Sequence, residues 1–462
     1  MTTFTDPPSE GFRLSQLIYD TRYRSMTIQI IALIGFLIFI GWLINNTAQN
    51  LADLGKEPSF RFMSEPAGYD INQRLIDYTN QDTHLRAAIV GLMNTLLVAV
   101  LGCITATIIG VLVGVLRLSK NWLISRIMAV YVEFFRNVPV LLWIVLVMAV
   151  LIETLPPPNK FRGDEPAATM KLFDSVAFTN RGFYVPEALF GSDAKDEKGN
   201  FLDEPTGWRV GLGDMPIGAS QDNKACESYF ATEGPMAGEP AAGCGKLQIS
   251  LDLMAVLLVL FAGFYTSHRI KTRADKIQEA TGERPTTWYL RLAVVIVPLV
   301  AALWALGFYL GYPELKGFNF RGGTHMRNSL IALWLALSLY TAAFIAEIVR
   351  AGILAISHGQ TEAAAALGLR SNRIMSLVVL PQALRVIIPP LISNYLNLTK
   401  NSSLAIAVGY MDITGTLGGI TLNQTGRELE TLLLLMLCYL IISLSISAVM
   451  NWYNESVKLK ER

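Results

Sequence analysis

Residues 87–116 read AAIVGLMNTLLVAVLGCITATIIGVLVGVL, thirty consecutive residues without a charged side chain. A bilayer core about 30 Å thick needs about 20 mostly apolar residues in one helix, so this stretch predicts a membrane-spanning helix. The whole chain has the same character, because 52% of its 462 residues are hydrophobic and only 16% are charged. We therefore expect an integral membrane protein.

Seven further apolar stretches predict additional spans and give an all-α protein with about eight transmembrane helices. The eight candidate spans are residues 26–44, 87–116, 127–152, 251–267, 289–311, 328–349, 376–398 and 430–450. The seventh contains Pro381, Pro389 and Pro390. We interpret it as a kinked span, because neighbouring helices can satisfy the backbone groups that proline leaves free.

Lys and Arg are concentrated in alternate connections. They cluster in residues 117–126, 268–288 and 350–373 and near both termini. Short cytoplasmic loops carry an excess of basic residues, so this distribution predicts that both termini are cytoplasmic. The long segment 153–250 then lies outside.

Segment 153–250 is polar, rich in Gly and Pro, and acidic. It contains Cys226 and Cys244, whereas Cys103 and Cys438 fall inside predicted spans. Because an extracytoplasmic compartment permits disulfides, we predict a bridge between Cys226 and Cys244. The alternative is two free thiols in a flexible loop.

The chain lacks the motifs of several enzyme classes. It has no Walker A phosphate-binding loop, since Gly245-Lys246 lacks both the glycine five residues before Gly245 and the following Ser or Thr. Its four histidines are scattered singly, and no Cys/His spacing predicts a metal site. A net charge of +1 gives no basic surplus for nucleic acid. We therefore expect no enzymatic activity and no metal or cofactor in this chain.

Residues 358–381, HGQTEAAAALGLRSNRIMSLVVLP, connect two predicted spans on the cytoplasmic side. Thr361 is a favourable N-cap, Glu362 complements the positive helix end, and the alanine run favours helix. Gly368 predicts the left-handed residue that ends this helix, and Ser371 predicts the cap of a second helix. The nearly flat alanine side could fit a groove on another protein, and the alternative is a plain cytoplasmic connector.

This loop resembles the EAA signature, E-A-A-x3-G-x9-I-x-L-P, of importer permeases of the ATP-binding cassette (ABC) class. The matching residues are Glu362, Ala363, Ala364, Gly368, Leu380 and Pro381, and Val378 replaces the usual isoleucine. The resemblance implies that residues 350–375 form a coupling loop for a separate ATPase. The residues implied in coupling are Thr361, Glu362, Ala363, Ala364, Gly368 and Arg370.

Other stretches resemble the polar amino acid branch of that class, namely residues 94–119, 131–142, 337–353 and 380–405. The resemblance implies a type I ABC importer permease core split by an insertion with two helices and a large periplasmic segment. The implied parts are an N-terminal tail with an extra helix and a periplasmic loop (1–86), the first part of the core (87–152), the periplasmic insertion (153–250), two inserted helices with loops (251–327), and the second part of the core (328–462). This arrangement is similar to that of the larger permease subunit of general L-amino-acid importers.

The implied function is that of a bacterial inner-membrane permease subunit in an ATP-driven, binding-protein-dependent importer of L-amino acids. The implied partners are a second permease subunit, two copies of an ABC ATPase that bind ATP and Mg²⁺, a periplasmic amino-acid-binding protein and the lipid bilayer. An ion-coupled secondary transporter is one alternative. Such proteins commonly contain two similar halves, and this sequence has no obvious internal repeat. A membrane receptor or scaffold is the other.

Two acid–base pairs stand three residues apart near the cytoplasmic side of predicted spans: Glu133 with Arg136, and Glu347 with Arg350. This spacing allows an ion pair on one helix face. Charges within spans tend to be paired or functional, so we interpret these residues as structural clamps, with substrate ligands as the alternative.

The seventh span has an amide side. Asn394, Asn397 and Asn401 recur at i, i+3 and i+7, which places them along one side of a helix. We predict that this side lines the translocation path together with the adjacent Lys400, Ser402 and Ser403. Hydrogen bonding between helices is the alternative. Lys400 either binds a substrate carboxylate or extends to the membrane interface.

Overall fold

The computed structural model describes residues 21–53, 55, 58–76, 78–162, 166–191, 214–217, 247–283 and 285–457. The chain divides into two units at residue 61. The described part of the first unit is dominated by one long apolar helix, α1 (Thr21–Asp53). The second unit, from Phe62 onward, holds the remaining helices and strands.

The helices of the second unit follow the apolar stretches of the sequence. They are α2 (His84–Leu116), α3 (Trp122–Asn137), α4 (Val140–Thr154), α5 (Leu251–Thr281), α6 (Trp288–Ala305), α7 (Asn328–Leu354), α8 (His358–Ala366), α9 (Ser371–Ile374), α10 (Leu380–Asn401), α11 (Leu422–Thr425) and α12 (Glu428–Val457). Within the described residues, seven helical segments are long and apolar enough to cross a bilayer, and the bent pair α3–α4 makes an eighth if it is one span. The expectation of about eight spanning helices is thereby confirmed.

Helix α7 lies at the centre of the bundle, where 16 of its 27 residues are buried. It contacts α2, α3, α4 and α10. Glycines of α2 permit a close approach, since a Cβ built on Gly110 would lie 2.6 Å from Ile345 Cβ and 2.9 Å from the Ala342 carbonyl oxygen. A Cβ built on Gly114 would likewise lie 2.8 Å from the Ala346 carbonyl oxygen. Close helix approach through small residues is typical of membrane bundles.

The third predicted span, 127–152, is wrong as a single helix. Helices α3 and α4 meet at an angle of 105°. Val138 is extended there (φ −109°, ψ 133°) and Pro139 follows. Proline disfavours the helical conformation of the residue before it, so the helix ends at Asn137.

The connections on one side of the bundle contain short antiparallel strands that the sequence did not predict. The strands are β1 (Ala177–Thr179), β2 (Gly182–Val185), β3 (Glu187–Leu189), β4 (Asp214–Ile217), β5 (Leu247–Ser250), β6 (Tyr309–Gly311), β7 (Glu314–Lys316), β8 (Asn319–Arg321) and β9 (Thr324–Arg327). Strand β2 pairs with β1 and β9, and β3 pairs with β6. The fifth predicted span, 289–311, is therefore too long, because residues 309–311 are a strand.

The last two spans are joined by a connection that packs back into the bundle. Helix α10 continues through Pro389 and Pro390 and leads into a 3₁₀ helix, Ser402–Val408. A π-helix, Thr414–Thr421, and α11 follow. The π-helix contacts both α2 and α12, so the connection between α10 and α12 is part of the core.

Candidate functional site

Helix α8 stands between α7 and α9 at the end of the bundle that carries Arg117, Arg350 and Arg370, which we call the basic end. It begins at His358, and Ser357 occupies the N-cap position without a side-chain hydrogen bond. The expectation that Thr361 caps this helix is wrong, because Thr361 lies inside it and its Oγ1 donates to the His358 carbonyl at 2.7 Å. The helix therefore begins three residues before Thr361, although Gly359 has a low helix propensity.

Gly368 ends this part of the loop in a left-handed conformation, with φ of 78°, as the sequence predicts. Its N–H donates to the Ala365 carbonyl at 2.9 Å, and the Leu369 N–H donates to that of Ala364 at 3.3 Å. These bonds satisfy carbonyls that a helix end leaves free. Ser371 is not the cap of the next helix, because Arg370 occupies that position and Ser371 is the first helical residue.

Most of the coupling residues predicted from sequence lie on an open surface. Ala364 is buried, whereas Glu362, Ala363, Gly368 and Arg370 are exposed and Thr361 is half-buried. Leu367 adds an apolar side chain that is 82% exposed. We call Glu362, Ala363, Leu367, Gly368 and Arg370 the coupling surface. It combines a flat apolar part with one carboxylate and one guanidinium group.

An ion cluster joins α2 to α7 directly below this loop. Glu347 on α7 accepts hydrogen bonds from Arg117, at the end of α2, and from Arg350 at 3.2 Å. The predicted Glu347–Arg350 pair is therefore confirmed, and Arg117 is a third member that spacing alone did not predict.

The pair predicted between Glu133 and Arg136 is wrong. No salt bridge between described residues joins them, and Arg136 lies instead over the ring of Phe344, 5.3 Å from its centroid. Glu133 is exposed on α3.

The amide side of α10 is partly exposed in the described part of the chain. Asn397 is exposed, and Asn394 and Asn401 are half-buried. The Asn394 side-chain amide donates to the Pro390 carbonyl at 2.9 Å, one turn earlier in the same helix. No hydrogen bond between described residues joins any of these three amides to another helix. The alternative of bonding between helices of this chain therefore has no support in the described residues.

The polar residues that follow do not share one face. Lys400 is exposed and Ser403 is half-buried, but Ser402 is fully buried and donates to the Thr399 carbonyl at 2.8 Å. Ser402 thus supports the turn into the 3₁₀ helix. The polar face of α10 consists of Asn397 and Lys400, which are exposed, and Asn394 and Asn401, which are half-buried.

A separate cleft of about 520 Å³ lies between α2, α7, α10 and α12. Its lining is almost entirely apolar, and its hydrogen-bonding groups include Thr107 and Tyr395, whose hydroxyl oxygens are 2.6 Å apart. An apolar lining of this kind offers no charged partner for a zwitterion.

Sequence reasoning missed a buried polar cluster at the opposite end of the bundle. Asp412 is 0% exposed, and its carboxylate accepts from the Gly415 N–H at 2.8 Å and the Tyr439 hydroxyl at 3.3 Å. Asn94 of α2 donates to the carbonyls of Gln73, at 2.7 Å, and Met411, at 2.8 Å. The only sequence signal was an aspartate within an otherwise apolar, glycine-rich stretch.

The predictions on metals and disulfides concern the His, Cys, Asp and Glu side chains. The described ranges contain no group of three or more His, Cys, Asp or Glu side chains arranged to hold a metal ion. Cys103 and Cys438 are free thiols. Cys226 and Cys244 lie outside the described residues, so their predicted bridge stays a prediction.

Comparison with known proteins places the chain among membrane transport components. Residues 253–459 match the family described as binding-protein-dependent transport system inner membrane component. The chain is 55% identical, over 470 residues and 100% of both chains, to the glutamate/glutamine/aspartate/asparagine transport system permease protein BztB of Rhodobacter capsulatus. It is 38% identical over 455 residues, covering 98% of this chain and 96% of the other, to the general L-amino acid transport system permease protein AapQ of Rhizobium johnstonii. Identity is also 38% over 441 residues, 95% of both chains, to the putative amino-acid ABC transporter permease protein YhdX of Escherichia coli.

Proposed function

Because the chain belongs to the family of binding-protein-dependent transport system inner membrane components, we propose that it is the permease subunit of an ATP-driven importer of L-amino acids. The observation that carries this proposal is the similarity to the permease BztB along the full length of both chains, at 55% identity. The spanning helices and the coupling surface of the described chain fit that role.

The coupling surface is the proposed contact with an ATPase. It is exposed, lies beyond the last turn of α7, and includes the positions of the EAA signature. The Gly368 turn leads directly into α9 and then through the π-helix Met375–Val379 into α10. A displacement of α8 is therefore transmitted to two spanning helices. In this proposal ATP binding and hydrolysis occur in two separate ATPase subunits.

The basic end of the bundle is the proposed cytoplasmic end. Arg117, Arg350, Arg370 and Arg373 belong to it, which follows the excess of basic residues in cytoplasmic loops. An epitope tag inserted at residue 275 and tags at both termini should then report the cytoplasm. A tag near residue 200 should report the outside, and a cytoplasmic signal at residue 200 would contradict this orientation.

The polar face of α10 is the proposed lining of the path. Its three carboxamides and one ammonium group are exposed or half-buried, and no hydrogen bond between described residues joins the amides to another helix. Polar groups facing lipid are costly, so a second permease subunit or a water-filled passage would cover this side. Carboxamides both donate and accept, which suits the ammonium and carboxylate groups of polar amino acids without fixing a charge preference.

The decisive experiment is uptake by the reconstituted complex. The permease pair, the ATPase and an external amino-acid-binding protein are placed in liposomes with ATP, and uptake of labelled amino acids is measured. We expect uptake that requires ATP and the binding protein and that persists with an uncoupler. Uptake that proceeds without ATP but stops with an uncoupler would contradict the proposal in favour of a secondary transporter.

A further inference from the structure

Hydrogen bonds between side chains and backbone groups hold the connection between α10 and α12 against α2. Ile413 N–H donates to Thr95 Oγ1 at 3.1 Å, and the Asn94 amide donates to the Met411 carbonyl at 2.8 Å. The Tyr410 hydroxyl donates back to the Asn94 carbonyl at 3.2 Å. A Cβ built on Gly91 would lie 2.8 Å from the Asp412 carbonyl oxygen. The connection therefore fits α2 closely, and we call this arrangement the docked position.

Asp412 sits at the centre of the docked position and precedes the π-helix Thr414–Thr421. Its carboxylate caps that helix by accepting from the Gly415 N–H and reaches α12 through Tyr439. The π-helix contains Gly415, Gly418 and Gly419. π-Helical turns are uncommon and frequently occur at functional sites, and glycine lowers the cost of conformational change.

Within the part of the chain that the structure describes, the hydrogen-bond partners of the Asp412 carboxylate are uncharged. The titratable groups that face Asp412 are Tyr439 on α12 and Tyr410 on its own connection. The facing residues of α2 are Gly91, Asn94 and Thr95, none of which titrates. Among the described residues, no salt bridge involves Asp412. His84 is bonded to Thr421 at the far end of the π-helix, at 3.0 Å.

We propose that Asp412 is a positioning residue whose ionised carboxylate weakens the docked position, so that the connection between α10 and α12 can leave α2 during transport. This inference rests on the proposed function for its role in transport. The docking equilibrium itself is a property of the chain and is measured separately from uptake.

The direction of the effect follows from proton binding. Burial raises the pKa of Asp412 from its ordinary 3.8 to about 6, while hydrogen bonds from Gly415, Tyr439 and Thr414 oppose that rise. The docked carboxyl group thus binds a proton more tightly than the solvent-exposed one does. Docking is strongest below pH 3.8 and weakens as the pH rises to about 6. Since one pKa unit is tenfold in an equilibrium constant, the full weakening is about 100-fold.

Asp412→Asn tests the effect of the carboxylate charge separately from that of the hydrogen bond. The variant is neutral at every pH but keeps an oxygen that accepts from Gly415. The measurement is hydrogen exchange of amides 413–419 in the complete reconstituted complex between pH 5 and 8, corrected for the intrinsic exchange rate. We expect protection in the parent to fall as the pH rises through about 6. Protection in Asp412→Asn should stay high and exceed that of the parent by up to about 100-fold at pH 7.5.

Tyr439→Phe should change the hydrogen-exchange protection in the opposite direction while Asp412 is still present. It removes a donor from the ionised carboxylate, so protection at pH 7.5 should fall below that of the parent. Asp82→Asn is the control, because Asp82 is also a buried aspartate that caps a turn, through the Thr79 N–H at 2.7 Å. Unlike Asp412, it is ion-paired, with Arg86 at 3.6 Å, and it lies in the loop before α2. It should leave the protection profile of residues 413–419 unchanged.

Uptake measured on the same samples tests the proposed transport function separately from the docking equilibrium. We expect Asp412→Asn to slow uptake at pH 7.5, with the difference from the parent shrinking as the pH falls below 6. Absence of ATP-dependent uptake in the parent would refute the proposed function, while the exchange results would still decide the docking equilibrium. If protection in Asp412→Asn falls with pH as it does in the parent, or if Tyr439→Phe raises protection, the inference is wrong.

Discussion

Arg117, the residue after the last turn of α2, donates a hydrogen bond to the carboxylate of Glu347 on α7. The two residues are 230 positions apart in the chain, and the contact joins the two most extensively paired spans just below the coupling loop. Arg350 binds the other oxygen of the same carboxylate. This cluster therefore resists separation of α2 and α7 where α8 would transmit force.

Glu347→Gln should weaken this ion cluster. The amide keeps one acceptor oxygen but lacks the negative charge that both guanidinium groups face. Hydrogen bonds to charged groups contribute about 1.5–3 kcal/mol, and we expect a loss of about 2 kcal/mol in stability. The measurement is thermal unfolding of the detergent-solubilised protein. Glu133→Gln is the control, since the described residues give Glu133 no ion pair. Equal melting temperatures for the two variants would show that the cluster contributes nothing.

Gly110→Ala tests the close approach of α2 and α7. The added methyl group would lie within 2.9 Å of the Ala342 carbonyl oxygen, so the helices must separate or shift. Overpacking of this kind costs about 1–3 kcal/mol, and the melting temperature should fall. Gly41→Ala in α1 meets nothing within 4 Å and should leave the melting temperature unchanged or raise it. A Gly110→Ala protein as stable as the parent would contradict the packing described.

Gly368→Val tests the turn after α8. A β-branched residue in the left-handed region is strained by about 1–2 kcal/mol, so α8 should lengthen or reorient. We expect normal membrane insertion but reduced co-purification of the ATPase and less uptake per ATP hydrolysed. The matched control is Gly359→Val, within α8, where nothing lies within 4 Å of the new Cβ. Unchanged uptake with the ATPase still bound would rule out the coupling role.

Asn394→Asp combined with Asn401→Asp tests the polar face of α10. Two carboxylates in place of neutral amides should favour Arg and Lys over Glu and Asp, because like charges repel and opposite charges attract along the path. Competitive uptake of the four labelled amino acids gives the ratio directly. The control is the double variant Asn394→Ala with Asn401→Ala, which loses both amides but gains no charge. An unchanged ratio in the aspartate variant would place the selective groups elsewhere.

Cys226 and Cys244 provide a test of the predicted disulfide in segment 153–250. A bridge would close a loop of about 19 residues and contribute about 3 kcal/mol on the chain-entropy model. Maleimide labelling of both thiols in the denatured protein should appear only after reduction. Cys103 and Cys438, which are free, should label equally with and without reductant. Labelling of Cys226 and Cys244 before reduction would show two free thiols.

The sequence predicted features whose cause is local. Uncharged stretches predict spanning helices because the cost of burying charge in lipid is large for each residue. Gly368 predicts its turn because few other residues adopt a positive φ at low cost. Glu347 and Arg350 meet because residues three apart share a helix face.

The remaining features depend on contacts between distant parts of the chain. Whether Glu133 pairs with Arg136 was decided by Phe344 on another helix, which takes the guanidinium group. Asp412 is buried only because α2 and α12 close around it. Strands of three or four residues give too short a pattern to be distinguished from loops. Pro139 did signal the break in the third span, but the apolar residues on both sides concealed it.

Asn180 links the chain that follows α4 to the start of α7. Its N–H donates to the Pro156 carbonyl at 3.2 Å, and its own carbonyl accepts from the side chain of Asn328 at 2.7 Å. Residues 156 and 328 are thus bridged by a single residue, although 171 positions separate them in the chain. These contacts hold the chain that follows α4 beside the start of α7. We therefore expect that a short linker between residues 156 and 328 would leave the helices on either side in place.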